Sequence, residues 1–252
     1  MTGFIARKTN NAPNGGELFA GISGNFKEFG QTLCELTDNS ISNFRAHNIR
    51  GRIEITLMNQ DTYVDVSVCD NGTGIEDVDA ALTIAARSCA ESALNEHGMG
   101  LKHALASINA GADQHWSIQT RTAEDVAHDR YQLVESPYSI GMPVYLVPGS
   151  GDIVGDTGTV VQVRCPMHKF LTLKPVSKKN DPTFAQVVSY LQETCATPTP
   201  TCCGMGPSPF VSPPWTRMAF PITWRSPSLW SQSGRVGTPS CPRWRPIWAT
   251  AP

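Results

Sequence analysis

Two neighbouring runs constrain the fold more than anything else in the chain. Arg52-Ile53-Glu54-Ile55-Thr56-Leu57 and Tyr63-Val64-Asp65-Val66-Ser67-Val68-Cys69 both alternate polar and apolar residues. Period two is the signature of a half-buried strand, and the short polar Asn59-Gln60-Asp61 between the runs makes them a hairpin. One face of that hairpin must be covered. By parity Val64, Val66 and Val68 point to the covered face, and Asp70 continues it. A carboxylate is thus carried inward at the strand's end, which is costly unless hydrogen-bond donors meet it. After Asp70-Asn71-Gly72-Thr73-Gly74-Ile75 comes no third strand. Glu76 to Ala86 has an acidic first turn and then Ala and Leu, which predicts a helix.

The cover for the hairpin is the segment before it. Phe26, Phe29, Leu33, Leu36, Ile41 and Phe44 recur at spacings of three to five, predicting an amphipathic helix from about Asn25 to Ala46. Glu35 and Asn39 are four apart and share one face of it. A carboxylate beside a carboxamide oxygen suits an acid/base group next to a ligand for a hard cation. Further on, Leu101, Leu105 and Ile108 mark another helix that opens at Gly98-Met99-Gly100-Leu101-Lys102, with Gly111 as its stop. Backbone N–H groups at such a glycine-led start favour an anion. Residues 87–97, rich in Ser, Asn and Glu, read as a lid-like loop before it. Strands are expected at 115–120, 131–134, 144–147 and 156–164, and a last helix at 184–194.

Charge divides the chain. From Cys195 onward there is no Asp, Glu or Lys, so residues 1–194 hold 15 basic against 22 acidic side chains, about −7. That balance gives no bulk attraction to nucleic acid or anionic membrane. No apolar run approaches the length of a membrane span, and the polar start lacks a signal-peptide core. Cys34, Cys69, Cys89 and Cys165 are far apart and read as reduced thiols, so the expectation is a soluble intracellular protein. Residues 1–16 read as a flexible N-terminus, with mobility extending to about 25, and 17–194 as the domain. Residues 195–252 hold 12 of the 19 Pro and five of the six Trp without either periodicity. They read as an unstructured tail, either out-of-frame translation or a natural Pro-rich interaction segment.

Four pieces therefore occur in order: Glu35-x-x-x-Asn39 on a helix, Asp70-x-Gly72-x-Gly74 after a strand, Gly98-x-Gly100 opening a helix, and Gly158-Thr159-x-Val161 on a strand. This order resembles the GHKL, or Bergerat-fold, ATPases, a superfamily that includes gyrase B subunits, large heat-shock chaperones, MutL proteins, histidine kinases and MORC proteins. The resemblance covers about residues 17–175. The Gly98–Lys102 string is most similar to the MORC branch.

The resemblance implies an α+β two-layer sandwich: a mixed, mostly antiparallel sheet with helices on one face. It implies that Asp70 accepts the adenine amino hydrogen with support from Thr159, that Asn39 binds Mg²⁺, and that Glu35 is the general base. Gly72 and Gly74 would let the backbone pass close to the nucleotide, and Gly98, Gly100 and the lid would wrap the phosphates. Lys102 would reach a phosphate or point to solvent. The implied function is ATP binding with slow Mg²⁺-dependent hydrolysis, coupled to conformational change or dimerisation. DNA or chromatin enters as a partner only by family analogy. A non-catalytic nucleotide-binding or interaction module and a histidine-kinase-type catalytic domain are the alternatives; the latter would need a phospho-acceptor His in an upstream helical hairpin. Ser42 stands where many members of the superfamily have Asp, and Lys174, Lys178 and Lys179 lie where a following domain would begin. No G-x-x-x-x-G-K-[ST] string is present, which excludes a P-loop.

Overall fold

A computed structural model describes residues 14–24, 26, 28–84, 100–111, 113–172, 183–196 and 222–225. The elements begin α1 (Gly15–Gly21), α2 (Phe29–Ala46), β1 (Ile53–Asn59), β2 (Tyr63–Asp70), α3 (Val78–Leu82), α4 (Gly100–Ile108) and β3 (Trp116–Arg121). They continue α5 (Ala123–Ala127), β4 (Arg130–Glu135), β5 (Tyr145–Pro148), β6 (Gly158–Pro166), α6 (Met167–Phe170), α7 (Phe184–Ala196) and β7 (Ile222–Arg225).

The expected hairpin forms, with Leu57 opposite Val66 and Ile55 opposite Val68. It sits in one sheet of order β5-β4-β3-β6-β2-β1-β7. Every pairing is antiparallel except β1 with β7, which is parallel. Residues opposite one another across neighbouring strands share a face, so each face can be read as rows. One row runs Ile55, Val68, Val161, Ile118, Val134. All five are buried, and they carry the helices: Phe29, Leu33, Leu36 and Phe44 of α2, Leu105 and Ile108 of α4, and Val187 and Leu191 of α7 belong to the same core. On the opposite face the described residues form one small cluster, Cys69, Ile153 and Val160, with Tyr131 and Val154 against it. The architecture is α+β with the helices on one face of a mixed, mostly antiparallel sheet.

One row further along the core face, the register changes character. Asp70 lies opposite Thr159, and Thr159 opposite Thr120. The sheet thus ends in three polar side chains on its helix-covered face, all under 9% exposed.

Several elements depart from the sequence expectation. The start of the chain, read as mobile to about 25, holds α1. The Asn14 side chain caps this helix by accepting from the Gly16 and Glu17 N–H groups, and Phe19 is fully buried, stacked on Tyr138 with ring centroids 4.7 Å apart. The helix expected at 76–86 is α3, only five residues long, with Asp77 capping the Ala80 N–H. Within the tail read as unstructured, residues 222–225 form β7 against β1. The first two residues of that tail, Cys195 and Ala196, end α7, while the lid-like loop, Gly98, the lysines at 174, 178 and 179, and residues 197–221 and 226–252 lie outside the described residues. No helix among the described residues is long and apolar enough to cross a membrane.

Candidate functional site

The site is built along α2. Glu35, Asn39 and Asn43 recur at four-residue intervals, one above another on one face, while Phe29, Leu33, Leu36 and Phe44 bury the other. The Asn39 amide nitrogen donates back to the Glu35 carbonyl at 2.9 Å. That bond fixes the carboxamide and turns its oxygen outward.

Opposite this face stands the N-terminus of α4. A Cβ on Gly100 would lie 2.5 Å from Glu35 Oε2 and 4.0 Å from Asn39 Oδ1. Glycine at helix position one therefore leaves the Glu35 carboxylate its place beside the start of α4. Burial, with the nearby Asp38 carboxylate second, holds the Glu35 carboxyl above its ordinary value. Such a shift makes a carboxylate a better proton acceptor, as a general base requires.

The other end of the site is the polar row of the sheet. Asp70 Oδ2 accepts from Ser40 Oγ at 2.7 Å, and Oδ1 accepts from the Gly72 N–H at 2.9 Å. Burial pushes this carboxyl up, against the opposing pull of Ser40, the Gly72 N–H and the Thr159 backbone. The inward carboxylate that parity demands is thus present with its donors. Thr120 and Thr159 hydroxyls stand 3.4 Å apart beside it.

The turn between these ends is glycine-dependent. A Cβ on Gly72 would lie 2.4 Å from Asn43 Oδ1 and 3.0 Å from Asp70 Oδ1. Gly74 has φ +81°, and a Cβ there would meet the Arg121 carbonyl at 2.5 Å, so both position and conformation exclude a side chain. The Ile75 N–H donates to Thr120 Oγ1 at 2.7 Å, anchoring the turn to the sheet.

The structure therefore brings together Glu35, Asn39 and Gly100 at one end and Asp70, Gly72, Gly74 and Thr159 at the other. Lys102 joins neither group, and it does not point to solvent. Its side chain is 1% exposed, and its amine donates to the Thr83 carbonyl at 2.6 Å and the Ala80 carbonyl at 3.4 Å. Burial pulls the amine down to about 8. Lys102 satisfies carbonyls at the end of α3, a role invisible without knowing where α3 stops. Ser40, Asn43, Thr120 and Thr157 are contacts that sequence reading did not single out. Asn43 had a signal, since it extends the Glu35–Asn39 stripe by one more turn.

Residues 27–136 match the family model described as histidine kinase-, DNA gyrase B-, and HSP90-like ATPase. This segment is GHKL-like. The match spans Glu35, Asn39, Asp70 and the glycines but ends before Thr159. No curated protein matches the chain. At the level of the superfamily, the GHKL-like match supports ATP binding and an ATPase type of activity. The residues fit that ligand: a hard oxygen pair at Glu35 and Asn39 beside the helix start at Gly100, and a buried acceptor at Asp70. Among the described residues no three Asp, Glu, His or Cys side chains gather to hold a metal. The donor set suits Mg²⁺ that arrives with phosphate oxygens and keeps waters, rather than a resident ion in a protein cage.

Proposed function

We propose that the GHKL-like domain binds ATP with Mg²⁺ and hydrolyses it slowly, with the cycle coupled to conformational change or dimerisation. The observation that carries the reading is the approach of the α4 N-terminus to the Glu35 carboxylate and the Asn39 oxygen. Helix N–H groups favour phosphate, so a base and a metal ligand stand where phosphate would lie. Asp70 is the acceptor for the adenine amino group, and Thr159 supports it. Asn39 holds Mg²⁺, which when bound neutralises phosphate charge. Glu35 takes a proton from the attacking water, and its raised carboxyl suits that task. Within the superfamily the Gly98–Lys102 string resembles the MORC branch, which makes a DNA or chromatin partner the analogy to pursue.

Binding and chemistry separate along α2. General-base contributions are typically ~10²–10⁴-fold in rate. Glu35→Ala is expected to abolish measurable turnover with ATP affinity held within a few fold, while Asn39→Ala weakens Mg-ATP binding itself. Equilibrium binding and phosphate release on the parent and both variants test this. Parental turnover in Glu35→Ala removes Glu35 as the base. Binding without turnover in the parent favours a non-catalytic nucleotide module.

A further inference from the structure

Between the two ends of the site, one peptide group is gripped from both sides. The carbonyl of Gly72 accepts from Thr157 Oγ1 at 2.7 Å. The N–H of Thr73, the other half of the same peptide unit, donates to Asn43 Oδ1 at 3.0 Å. The Asn43 amide nitrogen also donates to Thr73 Oγ1 at 2.8 Å. Asn43 comes from α2 and Thr157 from the turn into β6, so the two holders are 114 positions apart and reach the peptide from different elements.

This grip has consequences for Asp70. The N–H on the near side of the gripped unit belongs to Gly72, and it holds Asp70 Oδ1. Turning the Gly72–Thr73 peptide would drag that N–H and free one carboxylate oxygen. The turn has little room to absorb such motion: Gly72 leaves no space beside Asn43 Oδ1, and a Cβ on Gly158 would lie 2.1 Å from the Asp70 carbonyl. Both Asn43 and Thr157 are only half-buried, so neither is a core residue whose first task is filling space. Asn43 also faces the same way as Glu35 and Asn39.

We infer that Asn43 and Thr157 are positioning residues that set base selectivity by fixing the Gly72–Thr73 peptide and, through it, the aim of the Asp70 carboxylate. This rests on the reading that Asp70 accepts from adenine. A carboxylate held in one orientation accepts from an amino group and repels the carbonyl oxygen that guanine carries at the equivalent position. A carboxylate free to turn discriminates less. Asn43 and Thr157 touch no reacting atom and act only through the turn.

The test uses the full chain, with equilibrium binding of ATP and GTP to the parent, Asn43→Ala, Thr157→Val, Thr157→Ser and the Asn43→Ala/Thr157→Val pair. Each loss variant is expected to weaken ATP by roughly threefold to tenfold, the scale of one neutral hydrogen bond, with GTP affected less, so the ATP preference shrinks. Thr157→Ser keeps the hydroxyl and is expected to stay within about twofold of the parent. Because both groups hold one peptide unit, the pair is expected to lose less than the product of the single losses. Hydrogen exchange at the Thr73 amide is expected to accelerate in Asn43→Ala. Should Asn43→Ala fail to fold, the Thr157→Val and Thr157→Ser comparison decides alone. A parent that binds no ATP sinks the nucleotide reading and this inference with it. A parent that binds ATP selectively, with loss variants unchanged or weakened equally for ATP and GTP, overturns the inference alone.

Discussion

Asp70→Asn separates what the site costs the fold from what it gives the ligand. In the free protein the replacement is nearly isosteric. The side-chain oxygen can still accept from the Gly72 N–H, and the new amide nitrogen faces Ser40, whose hydroxyl can rotate from donor to acceptor. The Thr159 N–H, which also pulls on the carboxylate, keeps a partner by sharing the remaining oxygen with Gly72. The parent carboxyl is held above its ordinary value by burial, so its contribution to stability falls as pH rises through the folded value and is restored below the unfolded one. The neutral amide has no such slope. Asp70→Asn is therefore expected to be at least as stable as the parent at pH 7, with the difference vanishing toward pH 3. The ligand sees the opposite. An adenine amino group directed at an amide N–H leaves donors unsatisfied, at a cost on the order of 1–3 kcal/mol, or roughly tenfold to a hundredfold in affinity. Urea unfolding at pH 3 and pH 7, beside ATP titration at pH 7, measures both. ATP binding equal to the parent's refutes the adenine role of Asp70, and a collapse of the apo fold refutes the hydrogen-bond account given for the site.

Three other substitutions test the geometry. Asp38→Asn removes the neighbouring negative charge that helps raise Glu35, so the acid limb of the turnover-against-pH profile should move to lower pH; an unmoved limb would show that burial alone sets the shift. Gly100→Ala puts a Cβ 2.5 Å from Glu35 Oε2, the end of a flexible side chain, so the carboxylate is displaced at little cost to the fold. Turnover should drop by about tenfold or more while the melting temperature barely changes; a parental rate would mean that the two elements need not meet. Lys102 is pulled down to about 8 from 10.5, so between those values the unfolded chain holds a proton that the folded chain has lost, and stability from this group rises with pH. Relative to Lys102→Met, the parent should gain on the order of 1 kcal/mol between pH 7.5 and 9.5 in urea unfolding, and a flat difference would contradict the burial of the amine.

What the sequence disclosed followed from period and parity. The alternation of β2 placed Asp70 on the covered face, and the four-residue spacing of Glu35 and Asn39 placed both on one side of α2. Contacts that depend on where a distant backbone arrives were not legible. Lys102 was open between phosphate and solvent because nothing in Gly-Leu-Lys says that the carbonyls of Ala80 and Thr83 end up within its reach. Thr157 carries no signal of its own because on the strand pattern it merely shares the parity of Thr159, yet it lies in the turn before β6 begins and bonds there to the Gly72 carbonyl. The short α5 had a usable signal in Thr122 and Asp125, which form a reciprocal cap. The four-residue β7 had none, because proline-rich surroundings argue against a strand until a partner edge is found.

The stripe along α2 has a mechanical consequence. Glu35 and Asn43 are eight residues apart on one helix, about 12 Å along its axis at the standard rise. One stiff rod therefore serves as a ruler, and the spacing between the two halves of the site cannot stretch. Opening the site means moving α4 or the glycine turn away from the rod, never parting its own marks. A single residue inserted between Asn39 and Asn43 would advance the second mark by ~1.5 Å and turn it by about 100°, leaving each end locally intact while the two could no longer grip the same molecule.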